Sequence, residues 1–166
     1  MDSLKLGYNS FEMPLDTSWN VTYFEEDNSK ADIRFTTGKY PVLGVKILSI
    51  DDPKYNKNNK LKEHLFDPIL LETHPDLEIK SSKNEVYGIK YEANLESGEK
   101  VKVWRKAKII GGRTVRLVTL ALAWTSNPSS DIAVKNILID IEKYLEKSSF
   151  LEKETDLDKE AKVAGR

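Results

Sequence analysis

Apolar and polar positions alternate with a period of two along the first third of the chain, the rhythm of strands. Tyr8–Met13, Trp19–Glu25, Ala31–Thr36 and Val42–Ile50 each read as a strand. Turn formers separate them: Pro14-Leu15-Asp16, Asp27-Asn28-Ser29 and Gly38-Lys39-Tyr40-Pro41. A polar loop, Asp51–Lys60, follows, and then the phrase LKEHLFDPILLET. Pro68 forbids one straight helix. The phrase therefore predicts a helical stretch over Leu61–Phe66, re-capped by Asp67 with Pro68 at the first helical position, and continuing to Thr73. Leu77–Lys80 reads as a short strand.

A meander comes next, and its register can be derived. Glu96-Ser97-Gly98 suits a three-residue hairpin with Gly98 in the left-handed region, which pairs Leu95 with Glu99. One face then carries Ala93/Val101, Tyr91/Val103, Ile89/Arg105 and Tyr87/Ala107, and the other Asn94/Lys100, Glu92/Lys102 and Lys90/Trp104. Apolar meets apolar and Glu92 meets Lys102, as cross-strand pairs require. The next turn, Gly111-Gly112, reads as a two-residue hairpin that pairs Ile110 with Arg113. It sets Leu122, Leu120 and Val118 beside Val101, Val103 and Arg105. The strand Thr114–Trp124 is apolar on one face and small on the other, at Ala123, Ala121 and Thr119. Strands that are non-polar on both faces are usually covered on both, so helices are expected above and below the sheet.

The closing helix has Ser129 or Ser130 as its cap and Asp131 at its positive end. Val134, Ile137, Leu138, Ile141, Tyr144 and Leu145 recur on one side of it. The fold class expected is α+β, an antiparallel sheet flanked by helices on both faces. Residues 1–150 form one domain, and the charged tail 151–166 is expected outside its core.

Composition narrows the function. The 166 residues are 39% hydrophobic and 32% charged, with net charge -1. That is an ordinary soluble balance, with no global drive toward nucleic acid or anionic membrane. No apolar run approaches the roughly 20 residues that span a bilayer. The start, MDSLKLGYNSF, has no signal-peptide core, so a cytoplasmic location is expected of the chain as it stands. The absence of cysteine excludes disulfides, thiol catalysis, iron–sulfur clusters and a lipidated N-terminal cysteine. No cofactor is implied.

The phrase FEMPLDTSWNV, the strands, the single helix, the meander and the closing helix together resemble the PsbP/DcrB-like superfamily, a fold shared with the Ran-binding Mog protein. The likeness runs over Tyr8 to Phe150 as an order of elements. It implies an α/β/α sandwich and a non-enzymatic binding or accessory role, and a bacterial member is the plainest match. In this setting Glu25-Glu26-Asp27 is reminiscent of a protein-binding edge.

Several constellations could carry chemistry. Lys100, Lys102, Trp104, Lys106 and Lys108 alternate and so project from one strand face. They could hold a phosphate backbone with a stacked base, or their stems could lie under a covering helix with Trp104 packed beneath. The second reading is favoured, and a nucleic-acid partner is disfavoured. Arg105 and Arg116 share the apolar face in the derived register, with Tyr87 nearby. They form either an anion or carboxylate pocket between sheet and helix or structural salt bridges to a helix carboxylate such as Glu142 or Asp140. His64 and His74 match no metal spacing, and no metal site is assigned. Trp19 is expected to be a largely buried peg under the sheet, and Trp124 a core residue.

The leading expectation is a non-catalytic domain that binds a protein or ligand, with a protein partner. A small-anion binder or enzyme using Arg105 and Arg116 is the alternative. The candidate binding residues are Arg105, Arg116, Tyr87, Trp104, Lys102 and Lys106.

Overall fold

Two antiparallel sheets organise the chain. The computed structural model describes residues 2–27, 29–38, 41–51, 65–66, 79–82, 86–111 and 114–164. The large sheet has seven strands: β3 (Asn20–Asp27), β4 (Lys30–Thr36), β5 (Val42–Asp51), β6 (Lys80–Ser82), β7 (Val86–Asn94), β8 (Glu99–Ile110) and β9 (Thr114–Thr125). Their order is β3-β4-β5-β9-β8-β7-β6. A small sheet joins β1 (Asp2–Leu6), β2 (Phe11–Leu15) and β10 (Ser149–Phe150) in the order β1-β2-β10. Two helices complete the described residues, α1 (Pro128–Glu146) and α2 (Asp156–Ala164). No helix among them is long and apolar enough to cross a membrane.

The predicted β7–β8 register holds at every pair, from Tyr87 opposite Ala107 to Asn94 opposite Lys100. Gly98 lies in the left-handed region at φ +83°, and Leu95 N–H bonds Glu99 O at 2.8 Å. The β8–β9 register differs by one residue. Ile110 pairs with Thr114, which leaves 111–113 in the connection, and Leu122, Leu120 and Val118 stand opposite Lys102, Trp104 and Lys106. A slip of one residue sends every side chain of a strand to the other face. The large aliphatic side chains of β9 therefore share a face with the lysine row.

That face carries the main core. Val118, Leu120 and Leu122 of β9 meet Leu43, Val45 and Ile47 of β5, then Ala31, Ile33 and Phe35 of β4, all buried. The small sheet covers it with Leu6, Phe11, Met13 and Leu15, and α1 adds Val134, Ile141 and Tyr144. The spacing-derived apolar side of α1 is confirmed, with Ile137, Leu138 and Leu145 packed against the same cluster. Its cap is not Ser129 or Ser130 but Asn127, whose Oδ1 accepts from Ser130 N–H at 2.8 Å, with Pro128 beginning the helix.

The expected sandwich of one sheet between helices on both faces is overturned. The described residues form two sheets, and α1, α2 and the small sheet all lie on the same face of the large one. On the other face, Leu65 and Phe66 pack with Ile89, Ala107, Val115 and Leu117. Elsewhere on that face Gly44, Thr119, Ala121 and Ala123 are small and half-buried, beside Val42, Leu48, Val101 and Val103. Apart from Leu65 and Phe66, the helix predicted over Leu61–Thr73 lies outside the described residues, as do His64, His74 and the loop after Asp51.

The charged tail is also corrected. Leu157 is fully buried in the main core and Ala161 is 5% exposed, so α2 is part of the fold. Pro14 does not end its strand. It sits inside β2, where β10 reaches only Phe11 and Glu12, and a residue without an N–H is tolerated beside an unoccupied edge. Trp19 is half-buried rather than largely buried, and packs on the rim of the core.

Candidate functional site

Arg116 is the largest fully buried side chain among the described residues, and its surroundings explain how that is tolerated. Asp158 of α2 accepts from Nε at 3.1 Å and from Nη2. Nη1 donates to the carbonyls of Ser10 and Leu151, and Nη2 donates also to the carbonyl of Lys153. The guanidinium's donors are thus all consumed within the protein. The Asp158 carboxylate also accepts from Ser49 Oγ at 2.7 Å and from Thr155 N–H at 2.9 Å. Burial pushes the Asp158 pKa up, but the bonds from Arg116, Thr155 and Ser49 and the Arg116 charge outweigh it and hold it below the usual carboxylate value. The structural alternative for Arg116 is the one realised, with Asp158 as partner in place of Glu142 or Asp140.

Arg105 is elsewhere. It stands opposite Ile89 and Thr119 on the reverse face, where its Nη1 donates to Leu65 O at 2.9 Å. The two arginines therefore share no pocket. Tyr87 takes its place in β7 opposite Ala107, and its side chain lies outside the described residues.

The lysine row lies beneath α1 and the segment after it. Trp104, 5% exposed, donates from Nε1 to Glu142 at 3.4 Å. Lys102 pairs with Glu92 at 3.9 Å, Lys100 with Asp131 at 3.8 Å and Lys108 with Glu152 at 3.2 Å. Lys106 Nζ donates to Leu145 O at 3.1 Å and to Ser148 Oγ at 2.8 Å, a cation closing the negative end of α1. Burial lowers its pKa. Lys102 pairs within the sheet, and Lys100, Trp104, Lys106 and Lys108 fasten α1 and the segment after it to the sheet.

Among the described residues, exposed large side chains fall closest together in sequence on the β3 edge, whereas Ile132 and Ile139 lie a pair of turns apart on α1. Val21 and Phe24 are each 56% exposed and Tyr23 39%. The β3–β4 register shifts between Val21 and Tyr23, a bulge that leaves Thr22 without a partner in the ladder. The Arg34 guanidinium lies 4.6 Å from the Tyr23 ring centre and 3.5 Å from Asp32. Tyr23 Oη donates to Glu25, and that bond is the main cause of its raised pKa. Tyr8 stands near the acidic end of β3. Partial burial, and then the carboxylates of Glu26, Glu160, Asp156 and Asp27, raise its pKa.

Tyr8 is placed by a strained turn. Gly7, Tyr8 and Asn9 all have left-handed φ, at +67°, +54° and +62°. Gly7 is required: a Cβ there would lie 2.8 Å from Ile47 Cγ2. Ser10 fixes the turn, with N–H to Gly7 O at 3.0 Å, Oγ to Thr155 Oγ1 at 2.6 Å, and its carbonyl taken by Leu151 N–H and Arg116. Such strain persists only where the surroundings over-determine it.

Asp158 and Thr155 escaped sequence reasoning. Their signal was present: Thr155-x-x-Asp158 is a capping box before the apolar spacing Leu157/Ala161. Among the described residues no group of His, Cys, Asp or Glu could hold a metal ion. No protein-family model matches the chain, and no curated protein matches it.

Proposed function

We propose that the protein is a non-catalytic binding module whose contact surface is the β3 edge. The observation that carries this reading is the concentration of exposed large side chains at Val21, Tyr23 and Phe24 on a terminal strand. Such clusters on a soluble surface mark interaction sites. Side chains that suggested chemistry are, by contrast, spent on internal contacts: Arg116 on Asp158, and Lys106 and Trp104 on α1.

A photocrosslinking residue at position 24, with position 96 in the exposed β7–β8 turn as control, tests the proposal in cells of the source organism. A discrete protein adduct at 24 and none at 96 is expected. Equal labelling at both positions, or none at 24, overturns it.

A further inference from the structure

Resting on the reading of β3 as the contact surface, we propose that the partner is an extended polypeptide segment of alternating basic and apolar residues, which adds to β3 as an eighth strand. β3 ends the sheet order, so its outer edge has no strand beside it among the described residues. Edge strands are commonly guarded by lysine or proline, and Asn20–Asp27 contains neither. Its guards are the bulge at Thr22, beyond which the ladder runs without interruption from Tyr23 to Asp27, and the acidic run Glu25–Asp27, which turns away strands of like charge. That ladder is enough backbone for strand addition, which takes affinity from main-chain hydrogen bonds and specificity from alternate side chains.

The side chains specify the chemistry. Tyr23 and Phe24 offer apolar contact on the two sides of the strand, since successive residues point to opposite faces. Glu25, Glu26 and Asp27 follow, and Asp156 and Glu160 approach from α2 around Tyr8. Nearby cations are engaged locally: Arg34 with Asp32 and Tyr23, and Lys159 with Asp156 at 3.8 Å. Lys30 faces Asp27 across the ladder. The edge is left with an acidic excess that attracts a cationic strand and repels an anionic one.

The same charges argue against a second copy of this chain. Antiparallel self-pairing centred on the regular stretch would set Glu25 against Glu25, and like charges directly opposite are destabilising. A basic partner turns that repulsion into attraction.

The test uses the full chain and three capped peptides: alternating lysine and valine, alternating glutamate and valine, and the lysine–valine peptide with alternate backbone nitrogens methylated. Fluorescence anisotropy and amide hydrogen exchange read binding. The lysine–valine peptide is expected to bind, to slow exchange within Tyr23–Asp27, and to weaken as salt rises. The E25K/E26K double variant should weaken it about tenfold or more with an unchanged melting temperature, as rim charges do. Equal binding of the glutamate or the methylated peptide overturns the proposal. So does a concentration-dependent dimer abolished by Phe24→Glu, which would make the occupant a second copy. A specific adduct at position 24 without any binding of the lysine–valine peptide rejects the basic strand while leaving β3 as the contact surface.

Discussion

The Arg116–Asp158 pair, which joins the large sheet to α2, and the Arg34–Asp32 pair, which lies within β4, use the same two residue types and have opposite roles. Arg116 and Asp158 are 0% and 1% exposed, and their polar atoms are saturated by partners from four chain segments. Arg34 is 54% exposed, pairs at 3.5 Å with Asp32 of its own strand, and lies over the Tyr23 ring of β3. Burial decides the difference. A charge taken out of water must be fully compensated, so removing either member leaves the other stranded. An exposed pair is screened by solvent and contributes little. The sheet thus has a centre that cannot change and an edge free to serve another purpose.

The sharpest way to break this contrast is Arg116→Ala. A loss of about 3–5 kcal/mol is expected, because Asp158 remains buried without its counter-charge. Urea midpoints at constant slope measure it. Asp158→Ala should cost a similar amount, and the double variant clearly less than the sum. A loss below about 1 kcal/mol for Arg116→Ala would mean that the pair is not the keystone its contacts describe.

Leu157→Ala comes next, at about 2–5 kcal/mol, the range for a buried leucine. It asks whether the last sixteen residues belong to the core or merely rest on it. Unchanged thermal unfolding of that variant would restore the view of 151–166 as a solvated tail.

These two regions also show what was legible in the chain. The β7–β8 register could be read because turn chemistry, apolar pairs and the Glu92/Lys102 pair all agreed. The β8–β9 register could not, because β9 is non-polar on both faces. Its pattern then barely separates two registers one residue apart, and Gly111-Gly112 did not decide between them. That slip alone produced the supposed Arg105–Arg116 pocket. The tail misled for a different reason: its charge hid two apolar positions, Leu157 and Ala161, behind a capping box. The exposure of β3 was hidden because V-T-Y-F reads as a core strand until the sheet order places it at an edge.

Acid separates the regions more gently. The Asp158 pKa is lower in the folded protein than its ordinary value of 3.8. Its contribution is therefore complete above the unfolded value and is lost as pH falls through the lower folded value. Stability should decline below about pH 4 with a component that disappears in Asp158→Asn, a variant already less stable at neutral pH. An identical acid limb in both proteins would locate the sensitivity elsewhere.

The smallest stability effect belongs to the edge, and it is the most informative for function. Val21→Ser and Phe24→Ser remove side chains that are 56% exposed and lie outside the core clusters. Surface changes of this kind stay within about 0.5 kcal/mol. A core strand with these residues could not tolerate them, since each buried aromatic or branched side chain contributes about 1.5–3 kcal/mol. If the double variant keeps its melting temperature and loses the adduct formed through a crosslinker at the neighbouring position 23, the apolar side chains of β3 serve a partner and not the fold. If it unfolds, β3 is an ordinary part of the sheet whose exposure has no consequence for binding.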